Sequence, residues 1–329
     1  MIAVVGGGSW GTALARLVAL SGTPALLVCR TTDQARRMAR ERRAVGYLKG
    51  VDLPDAVRVG SLDDVATLRD ADLVVAAVPT RALHECAGWL SERLAPGARF
   101  LSLMKGLDPV SGLRLSEAWE HALSVPIRFA ALSGPNHAEE VAAGQPTATV
   151  VAGDSELCRD VQGLLNGPRF RVYVNEDLIG VELCGAAKNV IAIAAGMSDG
   201  MGAGDNAKAS LITRGLAEMT RLGVACGARD GTFRGLAGMG DLVATCTSPH
   251  SRNRRAGELI AEGLEADRVD QRLGQVAEGL WTVRALLELS GSVSVELPIS
   301  QQVLAAAFEG RPIEQCMKAL MAREPVSEE

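Results

Sequence analysis

The sequence predicts an α/β fold: a doubly wound, mostly parallel β-sheet in the N-terminal half, followed by an all-α C-terminal region. Strand-like apolar runs alternate with helical patterns up to about residue 176, and beyond that point the strand-like runs stop. Such alternation is typical of βαβ units, whose strands pair in parallel. A chain of 329 residues is long enough for two domains. We place these at residues 1–180 and 181–329.

The opening residues Met1–Val5 form a short apolar strand that runs directly into Gly6-Gly7-Gly8-Ser9-Trp10-Gly11, and a helical pattern follows. This is Gly-x-Gly-x-x-Gly in the strand–turn–helix context of a Rossmann-like dinucleotide site. Gly6 permits the tight turn, Gly8 lets the backbone approach a pyrophosphate, and Gly11 lets the helix pack closely on the strand. The helix N-terminus attracts the phosphate charge. The alternative is a tight βα turn without a ligand.

The other elements follow from the same periodicities. Further strands are predicted at Ala25–Cys29, Leu73–Val78, Arg99–Leu103, Ile127–Leu132, Thr147–Val151 and Phe170–Val174. Helices between them are predicted at Asp33–Arg43, Arg81–Leu94, Leu113–Ala122 and Ser155–Leu165. The C-terminal helices are predicted at Leu178–Met197, Ala207–Leu222, Arg252–Glu262, Val276–Leu289 and Pro298–Phe308. We expect ligands outside the carboxyl ends of the strands, in a crevice facing the helical domain.

Composition excludes several classes of protein. The net charge is −5 and basic tracts are short, so we expect no nucleic-acid partner. The N-terminus lacks the pattern of a signal peptide, and apolar stretches such as Val190–Met197 are too short to span a bilayer. Seven scattered cysteines without a Cys-x-x-Cys pair indicate free thiols, and four histidines show no metal-ligand spacing. We therefore expect a cytoplasmic protein without membrane insertion or a metal.

The residue after the second strand bears on the cofactor. An Asp or Glu about 20 residues past the glycines would bind the adenosine ribose 2′-hydroxyl of NAD. Here the strand ends in Arg30. Because a guanidinium suits a 2′-phosphate, we predict that NADPH is preferred and that NADH remains usable. The alternative is an ordinary surface arginine in an arginine-rich chain.

Lysines are rare in this chain, and two of them lie in unusual settings. Lys105 follows a strand, where it could hold a phosphate or polarise a carbonyl; the alternative is a solvated loop lysine. Lys188 lies on a helix among small residues, so we expect it to point into the crevice as a partly desolvated proton donor. The alternative is a buried ion-paired lysine. Asp241, in Gly238-Met239-Gly240-Asp241-Leu242, could orient such a lysine.

Two further segments carry polar groups that the fold does not need. Gly134-Pro135 forms a strand-to-helix turn, and His137 just after it invites a general-base interpretation, although no partner is evident. Ser251, Arg252 and Asn253 open a helix, where hydroxyl, guanidinium and amide form a clamp for phosphate or carboxylate. The alternative is an N-cap serine followed by surface arginines. We infer a small anionic ligand in addition to the dinucleotide.

Taken together, these segments resemble the NAD(P)-dependent glycerol-3-phosphate dehydrogenase family of bacterial type. The resemblance covers nearly the whole chain, in order: 6–15, Met104-Lys105-Gly106, Ser133-Gly134-Pro135, Ala186-Ala187-Lys188-Asn189, 204–208, Gly240-Asp241-Leu242, Thr245-Cys246-Thr247, 251–255, Ala277-Glu278-Gly279 and Leu297-Pro298-Ile299. Two departures stand out. Asn136 lies where the family usually has Ser or Thr, and residues 42–50 match the family's Asn-x-x-Tyr-Leu-Pro-Gly pattern loosely.

The resemblance implies reversible reduction of dihydroxyacetone phosphate to sn-glycerol 3-phosphate, which supplies phospholipid synthesis. It implies that Lys188 is the proton donor and acceptor, with help from Lys105 and Asp241. The implied substrate contacts are Lys105, Gly134, Asn136, Lys188, Asp241, Ser251, Arg252 and Asn253. The implied cofactor contacts, with the glycines Gly6, Gly8 and Gly11, are Ser9, Trp10, Arg30, Lys105, Ala138, Arg252, Val276 and Glu278.

Two alternatives stay open on the sequence. The first is a related two-domain reductase acting on a 3-hydroxy acid or ketopantoate, which would not need Ser251, Arg252 and Asn253 for a phosphate. The second is a nucleotide-binding regulator without turnover, against which Lys105 and Lys188 argue. A homodimer is the oligomeric state that we retain for testing.

Overall fold

The computed structural model describes residues 1–48 and 50–324, so Lys49 in the loosely matching 42–50 stretch lies outside the described residues. Its centre is one eight-stranded sheet with the strand order β3-β2-β1-β4-β5-β6-β7-β8. The strands are β1 Ile2–Val5, β2 Ala25–Cys29, β3 Val57–Ser61, β4 Leu73–Ala76, β5 Ala98–Ser102, β6 Ile127–Ser133, β7 Thr147–Gly153 and β8 Phe170–Asn175. Strand β3 escaped prediction because Val57-Arg58-Val59-Gly60-Ser61 is short and contains a glycine.

The sheet confirms the predicted fold class. All pairs from β3 to β6 are parallel; β7 is antiparallel to β6, and β8 is parallel to β7. The order reverses between β1 and β4, which is the point where doubly wound sheets bind ligands. All four residues of β1 are buried, as expected for a central strand covered on both faces.

Helices cover both faces of the sheet. They are α1 Ser9–Leu20, α2 Thr32–Glu41, α3 Leu83–Ser91, α4 Leu115–Ala122, α5 Ala138–Ala142 and α6 Ser155–Leu165, with a 3₁₀ turn at Thr80–Ala82. The β1–α1 turn needs its glycines. Gly6 has a φ of +123°, and a Cβ on Gly11 would lie 2.0 Å from the carbonyl oxygen of Gly6. Only hydrogen at these positions lets α1 start this close to β1.

After β8 the described elements are helical: α7 Leu178–Gly200, α8 Asp205–Ala225, α9 Asp230–Phe233, a π-helical turn Leu236–Gly240, α10 Asp241–Thr247, α11 Arg252–Ala261, α12 Ala266–Leu273, α13 Glu278–Ser292, α14 Pro298–Phe308 and α15 Ile313–Met321. The helices that sequence analysis missed are α9, α10, α12 and α15. All are shorter than ten residues, which is too few turns for a clear apolar period.

Helix α7 forms the axis of the helical region. Every residue from Gly180 to Met197 is buried. A Cβ on Gly196 would lie 1.8 Å from the carbonyl oxygen of Arg254, so α11 crosses α7 with the two backbones in close approach. By length and composition α7 could cross a membrane, which the shorter stretch Val190–Met197 did not suggest. However, 89% of an apolar 18-residue stretch within α7 is buried inside the protein, as in a core helix.

Candidate active site

One open cavity of about 1080 Å³ lies at the carboxyl ends of the parallel strands, between the sheet and the helical region. It brings together most of the residues that the sequence singled out: Gly6, Gly8, Ser9, Trp10, Arg30, Lys105, Asn136, Ala138, Lys188, Asp241, Ser251, Arg252, Asn253, Val276 and Glu278. Gly11 and Gly134 are not among the residues that line the cavity, although both allow close approaches of the backbone beside residues that do. Residues predicted from separate motifs therefore share one site.

The β1–α1 end of the cavity fits a dinucleotide. A Cβ on Gly8 would meet no atom within 4 Å, so backbone at this point faces open space. Helix α1 starts without a side-chain cap or an acidic residue in its first turn. Its first N–H groups are thus free for an anion. Ser9 Oγ and Trp10 Nε1 are buried and find no hydrogen-bond partner among the described residues. Because Ser9 and Trp10 also line the cavity, these two polar atoms fit a polar ligand at the start of α1.

The opposite end of the site is a buried cluster of charges around Asp241. Lys105 Nζ donates to Asp241 Oδ2 at 2.7 Å, to the Gly134 carbonyl at 2.9 Å and to Asn136 Oδ1 at 2.9 Å. Lys188 Nζ donates to Asp241 Oδ1 at 3.0 Å. Asp241 is 2% exposed and Lys188 is 5% exposed. One carboxylate therefore joins two lysines that are 83 positions apart in the sequence.

Burial and neighbouring charge set the protonation of this cluster. The pKa of Lys188 is lowered to about 8: burial is the largest cause, Asp241 acts in the opposite direction, and Lys105 adds to the lowering. Burial alone would raise the pKa of Asp241, but Lys105 and Lys188 hold it below its usual value. Asp241 thus stays ionised, and Lys188 can release or take up a proton near neutral pH. A lysine tuned in this way suits general acid–base chemistry.

Thr245 and Asn189 complete the cluster, although sequence reasoning gave neither a role. Lys188 Nζ donates to Thr245 Oγ1 at 2.7 Å, and Thr245 Oγ1 lies 3.1 Å from Asp241 Oδ1. Asn189 Nδ2 donates to the Lys105 carbonyl at 3.3 Å and to the Gly185 carbonyl at 3.1 Å. The available signal for Thr245 was its spacing of four from Asp241, which places both on one face of a helix. It was overlooked because α10 was not predicted.

The predicted anion clamp divides into two kinds of residue. Ser251 Oγ accepts from the Arg254 amide at 3.2 Å, so Ser251 is the N-cap of α11. This is the role that the alternative to an anion clamp gave to Ser251. Asn253 is buried; its Nδ2 donates to Asn189 Oδ1 at 2.8 Å, and its Oδ1 accepts from the Gly279 amide at 2.9 Å. Arg252 is exposed at the cavity wall. Arg252 thus offers an exposed cation at the cavity, while Asn253 ties helices together.

Asn136 and His137 follow the Gly134 turn. Asn136 Oδ1 accepts from Lys105, and its Nδ2 donates to Thr149 Oγ1 at 3.0 Å, so its amide holds Lys105 in place. His137 lines the cavity, and burial followed by the charge of Lys188 lowers its pKa. Its Nε2 lies 3.4 Å from the carbonyl oxygen of Ala244. This backbone contact is not the acidic partner that a general base would need.

Glu278 joins the sheet to the helical region beside the cavity. Its carboxylate accepts from Thr80 Oγ1 at 2.6 Å and from the Thr80 amide at 3.3 Å. Burial raises its pKa, although these hydrogen bonds act in the opposite direction. Thr80 belongs to the 3₁₀ turn after β4, so this contact closes the cavity between β4 and the start of α13. Val276 and Ala138 also line the cavity.

Comparisons with known proteins match nearly the whole chain to glycerol-3-phosphate dehydrogenases. Residues 1–158 match the family model of the NAD-dependent glycerol-3-phosphate dehydrogenase N-terminus, and residues 177–318 match that of the C-terminus. A glycerol-3-phosphate dehydrogenase [NAD(P)+] of Prosthecochloris aestuarii is 46% identical over 100% of this chain and 99% of the relative. One of Thermus thermophilus is 47% identical over 99% of each. The crystal structure of glycerol-3-phosphate dehydrogenase from Coxiella burnetii superposes with a TM-score of 0.92, at 38% identity over 98% of each chain.

Proposed function

The chain belongs to the NAD-dependent glycerol-3-phosphate dehydrogenase family, and from this premise we propose the role of each residue in the cavity. The enzyme is an NAD(P)-dependent oxidoreductase that reduces dihydroxyacetone phosphate to sn-glycerol 3-phosphate, as the sequence resemblance implied. When bound, the reduced nicotinamide supplies the hydride. The ketopantoate-type and regulatory alternatives lose their support, because both family models describe this one family.

Lys188 is the proton donor in this proposal. Reduction of a ketone adds a hydride to carbon and a proton to oxygen, and the Lys188 ammonium provides that proton. The amine left behind still has hydrogens to donate to Thr245 Oγ1, 2.7 Å away. Asp241 remains ionised because its contact of 2.7 Å with Lys105 Nζ helps to hold its pKa below the usual value. In the oxidative direction neutral Lys188 takes the proton back. The observation that carries this role is Asp241 held between Lys188 and Lys105.

The substrate phosphate binds at the start of α11. Arg252 is an exposed cation at the cavity wall, in the first turn of a helix whose N–H groups, apart from that of Arg254 which Ser251 caps, remain for an anion. A guanidinium holds phosphate oxygens through two parallel hydrogen bonds. Ser251, Asn253, Gly134 and Asn136 contribute by shaping this wall, and Lys105 polarises the carbonyl. Phosphate anchored away from the reacting carbon positions that carbon for reaction.

The dinucleotide occupies the other arm of the cavity. Its pyrophosphate binds Gly6, Gly8 and the N-terminus of α1, where Ser9 and Trp10 offer their unpartnered polar atoms. Gly11 is needed for this turn. Ala138, Lys105, Arg252, Val276 and Glu278 contact the remainder of the cofactor. Arg30, exposed at the end of β2, faces the adenosine 2′-position and favours NADPH over NADH.

The wider role rests on the family and on composition. We place the two domains at 1–180 and 181–329, with the boundary in the first turn of α7. The enzyme acts in the cytoplasm, supplies glycerol phosphate for phospholipid synthesis, and binds no nucleic acid. A homodimer is the oligomeric state we propose to test first, by light scattering of the purified enzyme.

The decisive experiment follows the absorbance of NADPH while dihydroxyacetone phosphate is added to the enzyme. Rapid oxidation with this substrate, and little with ketopantoate, supports the proposed function. Product identified as sn-glycerol 3-phosphate by chiral analysis completes the assignment. Equal rates with ketopantoate would contradict the phosphate site at Arg252.

A further inference from the structure

A carboxylate lies beside the position that selects the cofactor. In many dinucleotide sites an acidic residue at the end of the second strand binds the ribose 2′-hydroxyl. In this chain Arg30 has that position. Asp63 follows the neighbouring strand β3, which ends at Ser61, and Asp63 lines the same cavity as Arg30. The carboxylate and the guanidinium at this site thus follow two adjacent strands, β3 and β2.

Several contacts hold Asp63 next to the Arg30 segment. Strands β2 and β3 pair in parallel with Cys29 opposite Ser61, and the Leu62 amide donates to the Cys29 carbonyl at 3.0 Å. Thr32 Oγ1 donates to Asp63 Oδ2 at 2.9 Å and lies 3.1 Å from Ser61 Oγ. Thr32 is two residues beyond Arg30. The strand register and the threonine hydroxyl therefore fix the Asp63 carboxylate beside Arg30.

Both charges remain available to a ligand. Arg30 and Asp63 are exposed, and neither takes part in an ion pair within residues 1–48 and 50–324. Glu85 is another carboxylate at the cavity wall, but it lies on α3 after β4, and β1 separates β4 from β2. The neighbouring Asp64 does not line the cavity; its carboxylate accepts from Ser61 Oγ at 2.6 Å.

We propose that Asp63 is a specificity-determining residue that admits NADH beside NADPH. Its carboxylate accepts a hydrogen bond from the ribose 2′-hydroxyl of NADH and repels the 2′-phosphate of NADPH, whereas Arg30 binds that phosphate. The inference rests on the proposed function, which places the adenosine at the end of β2. Opposed charges at one position explain how a site tolerates both cofactors: each cofactor gains one favourable contact.

The test is equilibrium binding without turnover. We would measure Kd for NADPH and NADH by protein fluorescence, and for the fragments adenosine 2′,5′-bisphosphate and adenosine 5′-monophosphate by calorimetry. The variants are Asp63→Asn, Arg30→Ala and the control Asp64→Asn, which makes the same change in net charge one residue away. For Asp63→Asn we expect tighter NADPH and weaker NADH, by at least ~3-fold each, as for exposed charge-assisted contacts. The fragments should follow the same trend.

The outcomes separate the inference from its premise. Asp63→Asn changing both cofactors by the same factor, or behaving like Asp64→Asn, would overturn the role of Asp63. If Arg30→Ala leaves the ratio of the two Kd values unchanged, the placement of the adenosine at β2 is wrong as well. If Arg30→Ala weakens NADPH alone while Asp63→Asn has no effect, the proposed function stands and the inference fails.

Discussion

Alkaline pH should slow the reduction of dihydroxyacetone phosphate because it removes the proton that Lys188 donates. Burial, as the largest of several causes, lowers the pKa of Lys188 from 10.5 to about 8. At that pKa the side chain is ~90% ammonium at about pH 7 and ~10% at about pH 9, so kcat/KM for reduction should fall ~10-fold over that range. A lysine with an ordinary pKa of 10.5 would keep the rate almost constant across this interval.

The sign reverses for the oxidation of glycerol 3-phosphate. That direction needs neutral Lys188 as the acceptor, so its kcat/KM should rise as the pH passes about 8. Both directions are measured through NADPH absorbance at constant ionic strength, because kcat/KM reports the pKa of the free enzyme. Cofactor Kd measured over the same range serves as the control. Opposite slopes with one midpoint identify a single proton-carrying group.

Two variants should move the midpoint in opposite directions. Lys105→Met removes a positive charge that lowers the pKa of Lys188, so the midpoint should rise. Asp241→Asn removes the carboxylate that raises this pKa, so the midpoint should fall, by at least about one pH unit for a charge at hydrogen-bond distance. Because breaking a buried ion pair costs ~3–5 kcal/mol, thermal unfolding of each variant is checked first. A parent rate that stays level to about pH 9, or shifts of the same sign in both variants, would refute this reasoning.

Three further predictions address separate parts of the site. Lys188→Met should lower kcat at least ~100-fold while the Kd for NADPH stays within ~2-fold; a variant with most of its kcat would remove Lys188 from the mechanism. Arg252→Ala should lower kcat/KM for dihydroxyacetone phosphate at least ~10-fold and leave kcat/KM for unphosphorylated dihydroxyacetone nearly unchanged. Arg255 is exposed on the same helix and does not line the cavity, so the control Arg255→Ala should change neither value. Equal losses with both substrates would argue against a phosphate clamp at Arg252. Gly11→Ala should lower the Tm by several degrees or abolish NADPH binding, because its Cβ would lie 2.0 Å from the Gly6 carbonyl oxygen. The control is Gly88→Ala, whose Cβ would have open space around it. A Gly11→Ala variant that is as stable as this control and binds NADPH as tightly would show that the turn can widen.

Some elements of this fold can be predicted from the sequence and others cannot, for physical reasons. The β1–α1 turn was predictable because its glycines, apolar strand and helix are contiguous, so the signal is local. Helix α10 was not, because seven residues beginning after a π-helical turn carry no clear period. Because α10 was not predicted, Thr245 was not connected with Asp241, although Asp241 itself was singled out. Strand β3 was missed for a similar reason, and with it the carboxylate of Asp63.

The sequence by itself determined the fold class, the family and the residue types of the site. Local chain stiffness, turn geometry and residue spacing are encoded within short segments, so these could be predicted without coordinates. Only the tertiary structure decided which of these groups meet: Lys105, Lys188 and Asp241 come from separate elements. Their distances set the burial and the mutual charge, and these in turn bring the pKa of Lys188 to about 8. A pKa depends on everything packed around the group, which a linear pattern of residues does not specify.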